Sequence, residues 1–508
     1  MNGERAVSPT MTGKGPIGDD AAAARSGLER RLGRFGLFAL AFGSMIGVGW
    51  VTAIGSWLAQ AGPLGAALAF IIGGALMLCI GLCYAEATPM LPVAGGEVAY
   101  AYAASGTVAS FIVGWMLAFG YISVSAFEAI SVGRVLGFLF PSLASQPLYA
   151  VSGDVVHLPH LALAAGCTVL ITMLHYAGVR WVAAVQTWLT LAFILIIVLF
   201  LGAGFSSGSF DNSQPLWPAG GAGAAFGGML AVLVTVPFWF VGFDTIPQGA
   251  EEADASVPPR LLGTLILASV AGAVAFYVLL VASVSVVAPV AATITAELPA
   301  AYAFEAAFAS TTWRDLILVA ALIGLFTSWN GFFLAGSRVI FALGRARIIP
   351  AAFGVTHRRF GTPHRAVLLT GAVTLLAPLL GRSALLAFVD VGSFCIAAAF
   401  LGVAVSVWKL RRSRPDLPRP YRVPGGNFVA AIAAAGSLGM LVAMVVPGSP
   451  AALTWPIEVV ILGAFIILGA LFWIAAARTR AEVPEAERAW LVLEDHAVAR
   501  TAPAHPTE

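Results

Sequence analysis

Charge is what this chain has least of. Only 10% of its 508 residues are Asp, Glu, Lys or Arg, and its only lysines are Lys14 and Lys409. A soluble domain normally carries about 25% charged residues, so an ordinary water-soluble protein is excluded. The net charge of +2 carries no nucleic-acid signal; the placement of the charges matters more. Cysteine is also scarce. Cys79, Cys83, Cys167 and Cys395 all lie in apolar stretches. Cys79 and Cys83 share a helix face, but no His or carboxylate cluster completes a metal site, and all four read as small buried hydrophobes. Also missing are His-Glu-x-x-His, Gly-x-Gly-Asp and any paired histidines, since His175 and the loop histidines stand alone. Without a nucleophile or metal constellation an intramembrane enzyme is not expected, and neither is a cofactor. The N-terminus up to Arg34 lacks a cleavable signal pattern and reads as a disordered cytosolic lead-in.

Apolar sequence is abundant. Hydrophobic residues make up 59% of the chain, and mean hydropathy is +0.92. Runs of at least about 18 apolar residues recur, each long enough to cross the hydrocarbon core of a bilayer. The pattern predicts an all-α integral membrane protein with helices 1 to 6 near 35–60, 64–89, 107–138, 158–177, 181–204 and 222–250. Helices 7 to 12 follow near 261–289, 314–345, 365–381, 385–410, 427–447 and 454–477. The two longest, 107–138 and 314–345, must tilt or protrude.

Twelve crossings put both termini on one side, and the arginines agree. Arg25, Arg30, Arg31 and Arg34 precede helix 1. Arg345, Arg347, Arg358, Arg359 and Arg365 follow helix 8; Lys409, Arg411, Arg412, Arg414, Arg419 and Arg422 follow helix 10; Arg478 and Arg480 follow helix 12. The opposite loops carry little beyond Arg314 and Arg382. By the positive-inside rule the crowded face is cytoplasmic. The patches "THRRFGTPHRA" (356–366) and "RRSRPDLPRPYRVPGG" (411–426) read as topology signals near anionic headgroups, or alternatively as a regulatory nucleotide or lipid site.

Helix 1 contains an oddity, "ALAFGSMIGVGWVTAIG" (39–55), with Gly43, Gly47 and Gly49 inside seven positions. Glycine costs a helix interior about 1 kcal/mol relative to alanine. Small residues at such spacing can serve close helix packing. A second interruption lies in helix 6, "TVPFWFVGFDTIPQGAEE" (235–252), where Pro237 and Pro247 bracket Gly242. Broken backbone at membrane depth is tolerated only inside protein or beside a water-filled cavity. Two breaks at corresponding places in two halves point to a transporter-type binding site. A half-helix starting in mid-membrane offers N–H groups to a carboxylate, and one ending there offers carbonyls to an ammonium.

These residues also carry a resemblance. "GSMIGVGW", "YAEATPMLPVAGGEVAYAY" (84–102), "FVGFDTIPQGAEEADASVPPR" (240–260), "GSRVIFALGRARIIP" (336–350), "GTPHRA" (361–366) and "RRSRPDLPRPYRVPG" occur in that order. Together they resemble the amino acid–polyamine–organocation (APC) superfamily of permeases over most of 35–425. The resemblance implies a five-plus-five inverted repeat with broken helices 1 and 6, two extra helices, and alternating-access transport of amino acids or related amines. It divides the chain into a lead-in (1–34), a transporter core (35–410), a cytosolic linker with helices 11 and 12 (411–477) and a cytosolic tail (478–508).

Carried over by position, the resemblance puts the substrate carboxylate on N–H groups around Gly47, Val48 and Gly49. The amine meets carbonyls near Ser44 and Met45, with Ile46 next along the substrate-binding stretch, and near Phe238 and Val241 beside Gly242. Phe238, Trp239 and Phe240 form an aromatic wall with an outer gate. Many relatives have Ser or Thr where this chain has Val48, so one side-chain donor to the carboxylate is missing.

Carboxyl groups at membrane depth default to functional roles. Asp244 and Glu128 are the candidates for proton coupling. Asp244 could instead only accept hydrogen bonds from the frayed helix. Glu128 could pair with Arg134, stay neutral in an interface, or face the pocket and hold a cationic substrate. Glu251 and Glu252 read as structural, pairing with Arg260 or gating. In helix 5, Gln186 and Thr190 match the pattern of proton-coupled relatives, but Phe193 stands at the lysine position, which argues against lysine-based coupling. A sodium site between helices 1 and 8 would need Thr327 and Ser328. The expected activity is proton-linked amino acid import into a bacterium, across an inner membrane, since the chain is rich in Arg and Ala and poor in Lys. Its partners are a small-molecule substrate, a proton and the lipid bilayer, with no nucleic acid. Exchange and sodium symport are the alternatives within the class; a nutrient sensor or a channel is the alternative outside it.

Overall fold

The chain is described by a computed structural model at residues 32–151, 154–381 and 384–493. Arg25, Arg30, Arg31, Arg382, most of the expected lead-in and the end of the expected tail lie outside the described residues. Ten described helices are long and apolar enough to cross a membrane. The helix Gly49–Met90 holds the second part of one crossing and the whole of the next, because it turns at Gly62 (φ 67°) ahead of Pro63. Its first part, 49–61, continues the short helix Arg34–Met45. The pair His364–Leu376 and Ala377–Leu380 supplies another crossing. The described residues thus form an all-α membrane fold with twelve spans at nearly the expected places, helices 1 and 6 both broken.

Packing ranks the spans. Helices 8 and 10 (Thr311–Arg345 and Ala384–Ser413) have 72% of their apolar stretch buried, against 11% for helix 12 (Ile457–Ala475). The first two are therefore central and the last lies at the rim facing lipid. Helix 3 (Thr107–Leu139) packs along helices 8 and 10.

Residues near both ends meet on one face, here called the terminal side. Leu32 N–H donates to the Glu252 carbonyl and Asp254 N–H to the Leu32 carbonyl, each at 2.9 Å. Tyr102 donates to Glu485 at 3.0 Å, which docks the helix Glu485–Leu493, so part of the expected tail is packed structure. The Arg-rich stretch after helix 10 turns inward here. Arg411 Nε donates to Glu86 of helix 2 at 2.7 Å, Arg419 approaches the same carboxylate at 3.3 Å, and Val423 N–H caps it at 2.9 Å. Two of the six basic groups thus neutralise a buried acid instead of reaching lipid headgroups.

The other face carries an antiparallel hairpin of Pro147–Val151 and Asp154–His157. It was not expected from the helical periodicity, although both strands are rich in β-formers such as Val and Tyr. Tyr149 ties it to the Leu379 carbonyl at 2.7 Å.

Candidate functional site

Helix 1 stops at Met45 and restarts at Gly49, leaving Ile46 (φ −120°, ψ 82°) and Val48 (φ −81°, ψ −10°) at its two caps. Helix 6 runs Gly221–Phe240, unwinds through 241–244, and resumes at Thr245–Gly249. Gly242 has φ 132°, a conformation that L residues with a Cβ avoid. A Cβ there would lie 2.7 Å from Met45 N and 3.0 Å from Ser44 C. The two gaps are in direct contact.

The glycines of helix 1 divide the work. Gly43 lies inside the helix Arg34–Met45; a Cβ on it would come within 2.4 Å of Thr190 Oγ1 and 2.6 Å of Gln186 Nε2. It is a packing glycine, and Gln186 and Thr190 both donate to the Ala39 carbonyl, at 3.0 and 3.3 Å. Gly47 and Gly49 make clearance in and beside the gap. A Cβ on Gly47 would lie 1.9 Å from Glu128 Oε1, and one on Gly49 2.2 Å from the Trp239 ring.

Ser44, Met45, Gly47 and Gly49 line a cavity with Val124, Phe127 and Glu128 of helix 3 and Phe238 and Trp239 of helix 6. Tyr277 of helix 7 (Pro259–Val287) and Ser328 and Phe332 of helix 8 complete it. It encloses about 10 Å³, room for about one water, so any larger occupant requires lining groups to move. On its hairpin side lies a larger pocket of about 330 Å³, lined by Thr52, Phe127, Arg134, Glu297 and Trp239 among others. Phe127 and Trp239 border both spaces. Phe127, Phe238 and Trp239 pack edge to face at 5.1 to 6.2 Å between ring centres, forming a partition.

The other sequence-derived positions are placed as follows. Phe240 is buried against Phe70 and Tyr277 and does not itself line the cavity. Ile46 and Val241 are fully buried and do not line it. The Met45 carbonyl, expected to be open to an amine, accepts from the Tyr277 hydroxyl at 2.9 Å. Val48 contributes its N–H, which donates to Glu128 Oε1 at 3.4 Å. Glu128 is buried, its Oε2 has no protein partner, and the Ser328 hydroxyl lies against its carboxyl. It does not pair with Arg134, which instead binds Glu297, 3.8 Å between charged atoms. Asp244 accepts the Gly242 N–H at 2.7 Å and so caps the helix 6 gap from within.

Below the gaps the terminal side is sealed by ion pairs. Arg338 of helix 8 meets Glu252 at 2.7 Å, with both side chains no more than 2% exposed. Arg345 meets Glu251 at 3.2 Å, and Ala94 N–H donates to Glu251 at 2.9 Å. The expected Arg260 partner is not used, because Arg260 opens helix 7 at an exposed position while helix 8 passes directly over the acidic pair. Phe193 packs with Trp50 and Phe276, so an aromatic cluster fills the lysine position. Thr327 donates back into its own helix at 2.8 Å.

Tyr277, Val124, Phe127 and Phe332 were missed by sequence reasoning. Their signal was spacing: Val124 and Glu128 are one turn apart, as are Ser328 and Phe332, so each pair shares a helix face. Nothing in the sequence says which face turns inward.

Known proteins resemble this chain over most of its length. The amino acid permease family profile matches residues 32–472. The branched-chain amino acid permease BcaP of Bacillus subtilis (strain 168) is 29% identical over 433 residues, covering 82% of this chain and 88% of that protein. The methylthioribose transporter of the same organism is 28% identical, covering 80% and 87%. Its glutamate/serine transporter AimA is 29% identical, covering 79% and 75%.

Proposed function

Since the chain belongs to the amino acid permease family of the amino acid–polyamine–organocation superfamily, we propose that it imports an amino acid by alternating access, driven by protons. The terminal side, where the arginines gather, is then cytoplasmic, and the hairpin faces outward across a bacterial inner membrane. The two gaps hold the substrate backbone: N–H groups at Val48 and Gly49 take the carboxylate, and carbonyls around Ser44 and Phe238 take the ammonium. Phe238 and Trp239, with Phe127, form the outer gate. Val124, Phe127 and Phe332 make the remaining wall apolar, which favours an aliphatic side chain, as the name of BcaP suggests for that relative.

One observation carries the coupling. Glu128 Oε1 already sits on the Val48 N–H, where the substrate carboxylate would bind. Two carboxylates cannot share one buried donor. A proton from outside neutralises Glu128, removes the repulsion, and lets the substrate take the amide. Asp244, on the cytoplasmic side of the gap, receives the proton after the outer gate closes.

The same carboxyl favours a second reading, in which ionised Glu128 pairs with a cationic substrate and no proton is needed. Uptake into proteoliposomes separates the two. The proton reading predicts that an inward pH gradient raises leucine accumulation about tenfold. Glu128→Gln should abolish that gradient dependence while leaving leucine exchange. Gradient-independent uptake of arginine that Glu128→Gln destroys would establish the second reading instead.

A further inference from the structure

Beyond the gaps, toward the terminal side, lies a second buried acid that neither the gaps nor the ion pairs use. Glu97 stands at the start of the short helix Gly96–Ser105 between helices 2 and 3 and is fully buried. Its Oε2 accepts from Gln248 Nε2. Gln248 lies one helical turn past Asp244 on the inner half of helix 6, so both carboxyls flank the same stretch of that half-helix. Tyr84 of helix 2 feels both carboxyls and packs edge-on against Phe243 at 5.2 Å. Tyr121 of helix 3 donates to the Asp244 carbonyl at 3.3 Å.

Four buried atoms of this cluster lack a well-formed hydrogen bond, Glu97 Oε1, Asp244 Oδ2, Gln248 Oε1 and the Tyr84 hydroxyl, with Tyr84 lying against Glu97 and Tyr121 against Asp244. All four residues are fully buried. Three of those atoms are acceptors and only the Tyr84 hydroxyl can donate, so the cluster is short of donors. Among the described residues, the cations on neighbouring elements are engaged elsewhere. Arg338 and Arg345 of helix 8 hold Glu252 and Glu251. On helix 10, Lys409 donates to Ser105 and Arg411 to Glu86. On the C-terminal helix, Arg488 binds carbonyls of the preceding turn and Glu485 accepts from Tyr102. Tyr100, on the same short helix as Glu97, donates to Thr88 at 3.2 Å.

Two fully buried carboxyls without a counter-cation cannot both be ionised. We infer that Glu97 and Asp244 together hold one exchangeable proton, and that Glu97 is the last station from which the coupling proton leaves for the cytoplasm. The step changes only O–H bonds. One carboxyl of the pair is neutral and one is an anion; a proton arriving from the gap makes both neutral, and one proton then leaves through Glu97. This inference rests on the proton-coupled reading above and adds to it a site and a residue.

The test uses full-length protein in proteoliposomes, comparing gradient-driven accumulation with exchange at equal pH. Glu97→Gln should lower gradient-driven accumulation about tenfold and leave exchange within about twofold, while Glu97→Asp restores accumulation. If Glu97→Gln does not fold, Tyr84→Phe serves. It removes only the hydroxyl beside both carboxyls and should shift the pH of half-maximal uptake, which a packing role would not do. Accumulation by wild-type protein that ignores a pH gradient, or follows a sodium gradient instead, overturns the coupling reading and this inference together. Normal wild-type coupling with unchanged Glu97→Gln, or with an unshifted Tyr84→Phe profile where that variant is used, overturns this inference alone.

Discussion

Gly47 carries no side chain, and the space a Cβ would need is already filled. A Cβ there would collide with Glu128 Oε1 at 1.9 Å and approach Ser328 Oγ to 2.9 Å. Glu128 can swing away, so Gly47→Ala should fold, but it cannot then sit on the Val48 amide. Gradient-driven uptake should fall by about tenfold or more while exchange persists, with the melting temperature of the purified protein little changed, because a methyl at a displaceable contact costs less than core overpacking. An unaltered uptake rate would show that the Glu128–Val48 contact is incidental. At this scale the sequence was only partly legible. Glu128 and Asp244 stood out because carboxyls are rare at membrane depth. Glu97 did not, because it falls just outside the apolar spans, in a Gly-Gly-Glu turn that reads as loop. The Met45 carbonyl looked open because nothing local shows that Tyr277, 232 positions later, reaches it.

Among elements, the inner half of helix 6 is held by charge. Glu252 and Arg338 are both buried, and removing one partner strands the other. Glu252→Leu should cost about 3–5 kcal/mol, while the double variant Glu252→Leu/Arg338→Met should recover most of it. Thermal unfolding in detergent checks this, and equal loss in single and double variants would contradict the pairing. The breaks themselves were legible, since clustered Gly and Pro weaken the very helix that an apolar run of that length must form. Which acid pairs with which base was not. Arg260 is closest in sequence to Glu252, but distance along the chain says little once helix 8 crosses over helix 6. The hairpin after helix 3 escaped for a related reason: a short polar stretch between two long spans is dominated by their stronger signal.

For the whole molecule, the twelve spans, their order and the gathering of arginines on one face were readable from hydropathy and charge alone, because a bilayer forces length and polarity on every crossing. The contact between the gaps was suggested by the two halves matching, and the structure brings Gly242 against Met45. In the present arrangement the terminal side is closed by two ion pairs and the Leu32 contacts. The hairpin side keeps a pocket of about 330 Å³ above the aromatic partition. The central claim is that the substrate is held between the two gaps, on the amide that Glu128 now occupies. A structure of the protein with its transported amino acid tests this most directly. The account predicts the carboxylate on the Val48 and Gly49 N–H groups, the amine toward Ser44 and Phe238, and Glu128 turned away. A substrate lodged instead between Arg134 and Glu297, with Glu128 still on Val48, would contradict it.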